Sequence, residues 1–314
     1  MKKITNNTML GKLTIILNVV VLIFFIISML LLMKFDKTNN VVVSERNNYE
    51  KAYEEYVMAQ HPLKQDSAEV AYYQYKVDTL MQKTPASKDE RKALAESIEN
   101  NKQILAEKIK LRDEHLAKVE ELTGSYTALK AHWDEINDAN DKAKKSFVMM
   151  AILTLIAFII KTIVLAHYGY KNSKNLHNVA SWMKDGMAPY MSYVSWFVPV
   201  YNLLKPVSFI KEIWEETDYV LESKNLLANE TDKVDNSGLN LGIWWGLFLI
   251  SALLMNFVLY KTFFAEGAFF LKFNHGSIAI AAIVIMILCM LLETYLILTY
   301  NKKNKLMADN EDNF

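Results

Sequence analysis

Leu13-Thr-Ile-Ile-Leu-Asn-Val-Val-Val-Leu-Ile-Phe-Phe-Ile-Ile-Ser-Met-Leu-Leu-Leu-Met33 is a run of 21 residues without a charge. A helix rising about 1.5 Å per residue carries such a run across a hydrocarbon core of about 30 Å. Phe147–His167, Leu241–Tyr260 and Ile278–Tyr300 have the same length and character. Helices buried in soluble proteins are usually shorter and keep a polar stripe. The four blocks therefore predict an all-α integral membrane protein with transmembrane helices at 13–33, 146–167, 241–260 and 278–300.

The chain has 314 residues, 52% of them hydrophobic and 22% charged, and the two kinds are segregated. Residues 34–145 hold 19 Lys/Arg and 21 Asp/Glu. That balance, and a formal net charge of zero for the whole chain, leave no basic footprint for nucleic acid. Cys289 is the one cysteine and lies in the fourth block. No disulfide framework or cysteine-based zinc site can form within one chain. Lys2, Lys3 and Lys12 precede the first block, as in a signal peptide. The apolar run is longer than a signal core, and Lys34 follows it with no small-x-small cleavage pattern. It reads as an uncleaved signal anchor.

Lys/Arg bias in short loops orients the spans. With a cytoplasmic N-terminus, the inside segments are 1–12, 168–240 and 301–314, carrying three, seven and three Lys/Arg. The short external loop 261–277 carries only Lys261 and Lys272. The expected location is a bacterial inner membrane, multi-pass, with both termini cytoplasmic and 34–145 outside.

That external segment reads as a helical hairpin or coiled-coil domain. From Lys88 to Lys145 there is no Pro and one Gly, and apolar residues recur in steps of three or four from Leu94 through Leu105, Leu116, Leu122 and Trp133 to Ile136. Ser87 with Glu90 forms a capping box after Thr84-Pro85. The preceding arm, 39–83, is expected to break near His61-Pro62. The hairpin tip falls near 82–87. Two helices bury little surface, so the stripe predicts a fold-back into four helices or a partner, either another protein or a second copy.

The inside segment differs in kind. Trp182-Met183, Gly186 and Pro189 punctuate it, and Ser195-Trp-Phe-Val-Pro-Val-Tyr-Asn-Leu-Leu-Lys-Pro206 is apolar yet too short and broken to span. It fits a re-entrant or interfacial element. An amphipathic helix follows, with Val207, Ile210, Ile213, Trp214 and Leu221 on one side, expected to rest in the headgroup layer. Trp196, Phe197, Pro199, Asn202, Lys205, Pro206 and Trp214 form a candidate interfacial motif, in which Asn202 could satisfy a carbonyl freed by a proline. The block Trp196-Phe197-Val198-Pro199, Asn202-Leu203, Lys205-Pro206, Glu212-Ile213-Trp214, with Trp244-Trp245 opening the next span, resembles the domain of unknown function 4328 family of bacterial membrane proteins. The resemblance covers roughly Phe147–Asn301. Residues 34–145 are longer than the connection the family leads one to expect. The family carries no established activity, so the resemblance implies architecture alone.

Two charges sit inside spans: Lys161 and Glu293, each about 9–11 Å below the same surface. Ionisable groups at that depth are costly and often paired or functional, so Lys161–Glu293 is a candidate intramembrane ion pair. Asn18 and Asn256 are expected to make interhelical hydrogen bonds. His61, His115, His132, His167, His177 and His275 show no metal-ligand spacing, and no phosphate-cradling glycine motif or nucleophile elbow is present. No cofactor, no metal and no catalytic residue are expected. The preferred expectation is a membrane-anchored interaction or sensor-type protein, not an enzyme, whose external helices bind a partner. The alternative is a small transporter or lipid-handling protein using Lys161, Glu293 and the broken Trp196–Pro206 segment.

Overall fold

The computed structural model describes residues 3–180, 188–198, 201–227, 237–264 and 275–314. Trp182, Met183, Gly186, Pro199 and residues 265–274 of the expected external loop lie outside them. Every element among the described residues is helical: α1 (Thr8–Met81), α2 (Lys88–Val179), α3 (Met191–Phe197), α4 (Lys205–Ser223), α5 (Ser237–Phe264) and α6 (His275–Asp309), with short 3₁₀ turns at Tyr201–Leu203 and Glu311–Asn313. The chain divides into two compact units, one of Met1–Asp36 with Ala143–Phe314, the other of Lys37–Lys142.

The Lys37–Lys142 unit is an antiparallel pair made by α1 and α2. Residue numbers fall on one helix as they rise on the other: Thr38 donates to Asn140, Tyr49 stacks on Trp133, Tyr56 on Tyr126, Asp66 meets His115, and Glu69 pairs with Lys108 at 2.6 Å. At the start of α2, Ser87 Oγ accepts from the Glu90 amide, and Glu90 Oε2 accepts in return from the Ala86 amide. Pro62 does not break the helix, contrary to the expectation from sequence, for α1 runs through it unbroken. An interior proline forfeits one hydrogen bond and costs about 3 kcal/mol. The arm beyond Pro62 meets α2 through the partly exposed pairs Asp66–His115 and Glu69–Lys108. No fold-back into four helices occurs within this unit. Two helices bury few side chains fully, Val77, Leu105 and Val119 among them. Leu116, expected in the stripe, is exposed, and His115 beside it, only half-buried, meets Asp66.

The other unit has two apolar clusters. In the first, Phe25, Met29 and Leu32 of α1 meet Ala143, Ala151 and Ala157 of α2 and Ala279 and Ala282 of α6. Small residues on two helices let the large ones of the third approach closely, the usual packing of helices in lipid. The outward faces are aliphatic: Ile16, Val19 and Ile23 on α1, Ile152, Ile156 and Ile160 on α2, Val284, Leu288 and Leu291 on α6. Three helices, α1, α2 and α6, are long and apolar enough to cross a membrane, and Leu239–Leu254 within α5 is a shorter apolar stretch.

The second cluster joins Leu165 and Leu176 of α2, Trp196 of α3, Phe209, Ile213, Trp214 and Leu221 of α4, Trp244 and Trp245 of α5, and Leu296, Ile297 and Tyr300 of α6. Gly169 lets α3 approach α2, because a Cβ there would strike Ser192. A ladder of asparagines along α2 fixes the N-terminal segment: Asn172 accepts from Asn7, Asn175 bonds the Thr5 backbone in both directions, and Asn178 donates to the Lys3 carbonyl. The Ile4 amide donates to Glu311, and Asn175 also donates to Asn304 of α6. The start of α1, the end of α2 and the end of α6 therefore lie together.

Candidate functional site

Lys161 of α2 and Glu293 of α6 meet in the interior of this unit. Lys161 Nζ donates to Glu293 Oε2 at 2.7 Å, and the two side chains are 1% and 3% exposed. Trp244 Nε1 of α5 donates to the same oxygen at 3.1 Å. Glu293 Oε1 is buried with no hydrogen-bond partner. A buried pair rarely adds net stability, since desolvating two ions costs about what their attraction returns.

A cavity of about 60 Å³ lies beside the pair, walled by α2, α4, α5 and α6; Tyr168, Ile213, Trp214, Trp244, Glu293 and Tyr300 border it. Trp214 Nε1 is a second buried group without a partner. Glu293 and Trp214 border the cavity, whose wall is almost wholly apolar. The neighbouring hydroxyls are engaged: Tyr168 donates to Asn301, and Tyr300 shares a bond with Thr217 at 2.9 Å. Around them the rings interlock, with Trp214 edge-on to Tyr300, Trp196 edge-on to Trp245, and Trp245 stacked on Phe248 at 4.9 Å. On the α4 side, Lys303 donates to Asp218 and lies 5.2 Å from the centre of the Trp214 ring. Burial pushes the Asp218 carboxyl above its ordinary value, against the pull of Lys303.

The motif residues divide differently from the expectation of an interfacial wedge. Trp196 and Trp214 are interior, at 5% and 2% exposure, and Pro206 is buried in the first turn of α4. Phe197 and Lys205 face out, and Asn202 is half-buried. The apolar face of α4 packs on α5 and α6. The free carbonyl at Leu203 accepts from Trp245 Nε1 at 2.7 Å; Asn202 is not its donor. Asn256 bonds the Ala252 carbonyl of its own helix, and Asn18 is buried with both amide atoms unpartnered, so neither makes the interhelical bond expected of it. Another interhelical bond joins Ser28 and Thr154 at 2.8 Å. Trp214 enters the sequence reading only as part of the interfacial motif, and Trp244 and Tyr300 escape it as site residues, since aromatic content alone does not tell an indole facing lipid from one facing a carboxylate.

Among the described residues no cluster of three or more His, Cys, Asp or Glu could hold a metal ion. The family described as Domain of unknown function (DUF4328) matches residues 135–302, a stretch that includes Lys161, Trp196, Trp214, Trp244 and Glu293. No curated protein and no solved structure matches the chain.

Proposed function

The chain belongs to the domain of unknown function 4328 family, and we propose that it is a four-span membrane protein that binds a small, mostly apolar ligand beside Glu293. The observation that carries this reading is Glu293, which borders a cavity and whose Oε1 is buried without a hydrogen-bond partner. An unsatisfied buried group costs about 1–3 kcal/mol, more when charged, and a ligand that donates to it recovers that energy. The reading is thus close to the lipid-handling alternative, with Lys161 holding Glu293 in place and Trp244 orienting it. It assigns no reaction.

The test compares small molecules retained by the wild-type protein and by Glu293→Gln after purification in mild detergent, read by mass spectrometry of a solvent extract. The expected result is a species held near one per chain by the wild type and lost from the variant. The double variant Lys161→Met/Glu293→Gln removes both charges together, which folded proteins tolerate better than removing one, and it should lose the same species. Identical extracts from all three proteins would reject the reading.

A second reading keeps the 34–145 hairpin as a grip for a protein partner or a second copy. It is favoured by the exposure of Tyr53, Met58, Tyr72, Tyr75 and Met81 on that unit, with Met58 and Tyr75 each at 72%. Crosslinking from Met58→Cys in native membranes tests it: products that disappear from a Tyr75→Glu background support it, and absence of any product sinks it.

A further inference from the structure

The elbow between α3 and α4 carries large apolar side chains that the unit leaves uncovered. Leu204 is 70% exposed, Leu203 57%, Phe197 50% and Val198 40%. The Asn202 amide donates to the Val198 carbonyl at 2.9 Å, which sets Phe197 and Val198 beside Leu203 and Leu204. A protein surface in water rarely gathers large apolar side chains in one place, and such a patch marks a contact with a partner or a membrane. Leu204 is also the N-cap of α4 and supplies no capping bond. Leucine is among the poorest residues at that position, so helix stability does not account for it.

The tethers of the elbow set its depth. On one side, Ser192 Oγ donates to the Ala166 carbonyl of α2 at 2.7 Å, and His167 Nδ1 meets the Tyr193 hydroxyl at 2.6 Å. Ala166 and His167 close the apolar block Phe147–His167. On the other side, Trp245 Nε1 donates to the Leu203 carbonyl, and Trp196 lies edge-on to Trp245 and Phe248 of α5. Those two residues stand inside the block Leu241–Tyr260, about 6 and 10 Å from its start at about 1.5 Å per residue. The elbow is therefore pinned at the height of the outermost turns of two apolar blocks. There the outward side chains of the same helices are aliphatic: Ile160 and Ile163 on α2, Leu239 and Ile243 on α5. The uncovered residues of the elbow continue that surface.

We propose that the elbow is a shallow wedge in one leaflet of the bilayer, with Phe197, Val198, Leu203 and Leu204 among the upper acyl chains and the outer face of α4 among the headgroups. The polarity of the surface changes where the wedge leaves the chains. From 205 to 215 every exposed residue is charged: Lys205, Lys211, Glu212 and Glu215. Lys211 and Glu215 pair across one turn at 3.5 Å. Two positive and two negative charges cancel, so burial of apolar surface holds the wedge and anionic lipid adds nothing. The wedge thus uses Phe197 of the motif with its neighbours Val198, Leu203 and Leu204, while Trp196, Pro206 and Trp214 face inward.

This rests on the four-span reading, in which α2 and α5 lie in the bilayer, and the test separates the two. The full chain with Cys289→Ala carries one further substitution at a time, Leu203→Cys, Leu204→Cys, Glu215→Cys or Ile243→Cys, labelled with a small environment-sensitive fluorophore. It is reconstituted in vesicles of phosphatidylcholine, with and without phosphatidylglycerol. Quenching by lipid brominated near the glycerol end of its chains is compared with quenching by iodide present on both faces of the membrane. The expected result is lipid quenching at Leu203→Cys and Leu204→Cys in both lipid mixtures. Iodide should quench them about five-fold less than Glu215→Cys, because ions are excluded from the acyl layer. Ile243→Cys, on the outward face of α5, should also be quenched by lipid. Lipid quenching at Ile243→Cys with free iodide access at Leu203→Cys and Leu204→Cys overturns the wedge and leaves α5 in the membrane. Iodide access at all three overturns the wedge and the four-span reading together. Shielding of Leu203→Cys and Leu204→Cys from both quenchers means that protein, such as a second copy, covers the elbow, and rejects the wedge. Lipid quenching that appears only with phosphatidylglycerol overturns an anchor held by apolar burial.

Discussion

Lys161 and Glu293 depend on each other more than any other pair of side chains in the chain. Each is nearly sealed from solvent, so either single neutralisation leaves a bare charge in the interior and should destabilise the protein by about 3–5 kcal/mol. The double variant Lys161→Met/Glu293→Gln should cost much less than the sum. Unfolding midpoints in detergent complete the cycle, and strictly additive losses would mean that the two do not interact. Asn18 predicts the opposite sign. Its amide is buried with neither atom satisfied, an arrangement that costs about 1–3 kcal/mol. Asn18→Leu should therefore raise the unfolding midpoint; a lower one would show that Asn18 has a partner worth keeping. At this scale the sequence reveals depth but not direction. Lys161 and Glu293 stand out because a charge inside an apolar block is rare whatever surrounds it. Trp214 stands out only as part of the motif, since its place beside the cavity follows from which of four helices its indole faces. Asn18 and Asn256 look alike in sequence, yet one is sealed in the interior and the other bonds its own helix in an exposed position.

Helix start signals and apolar periodicity are local, and they are legible: Ser87 and Glu90 open α2, and the tip of the hairpin follows from Pro85 beside them. Pro62 shows where local reasoning stops. Its cost of about 3 kcal/mol is fixed by the residue, but whether a helix breaks there depends on what holds the far side. Here Asp66 and Glu69 meet α2 on that side through His115 and Lys108, partners 49 and 39 positions away in the chain. Pro62→Ala restores the amide that can bond the Met58 carbonyl. It should slow hydrogen exchange across 58–66 and stabilise the arm by up to about 3 kcal/mol. Unchanged exchange would mean that the missing amide hydrogen bond costs the arm nothing there. α4 follows the same logic: its amphipathic pattern is plain in sequence, but a helix with one apolar face can lie on lipid or on protein. Here it meets aromatic residues of α5 and α6.

The number of membrane crossings follows from which ends of the helices meet. The N-terminal segment bonds the asparagine ladder near the end of α2 and Glu311 just beyond α6, so the start of α1 and the ends of α2 and α6 share one edge of their unit. α1 leaves that edge, α2 returns to it, and α6 returns to it again. A chain that comes back twice must leave twice, so in the four-span reading proposed above α5, 28 residues long and rising about 42 Å at about 1.5 Å per residue, supplies the fourth crossing beside the three helices that are long and apolar enough to span. The same reading places the tail after α6 on the side of Lys3, as the Lys/Arg bias also requires. Single cysteines placed at Ala86, Ser223 and Asp309, in a Cys289→Ala background, test it with a membrane-impermeant thiol reagent on intact cells. Ala86→Cys should be labelled, and Ser223→Cys and Asp309→Cys only after the membrane is opened. Labelling of Asp309→Cys together with Ala86→Cys would leave an odd number of crossings. The N-terminal latch on α2 and α6 could then not persist in the membrane, and the four-span reading would fall with it.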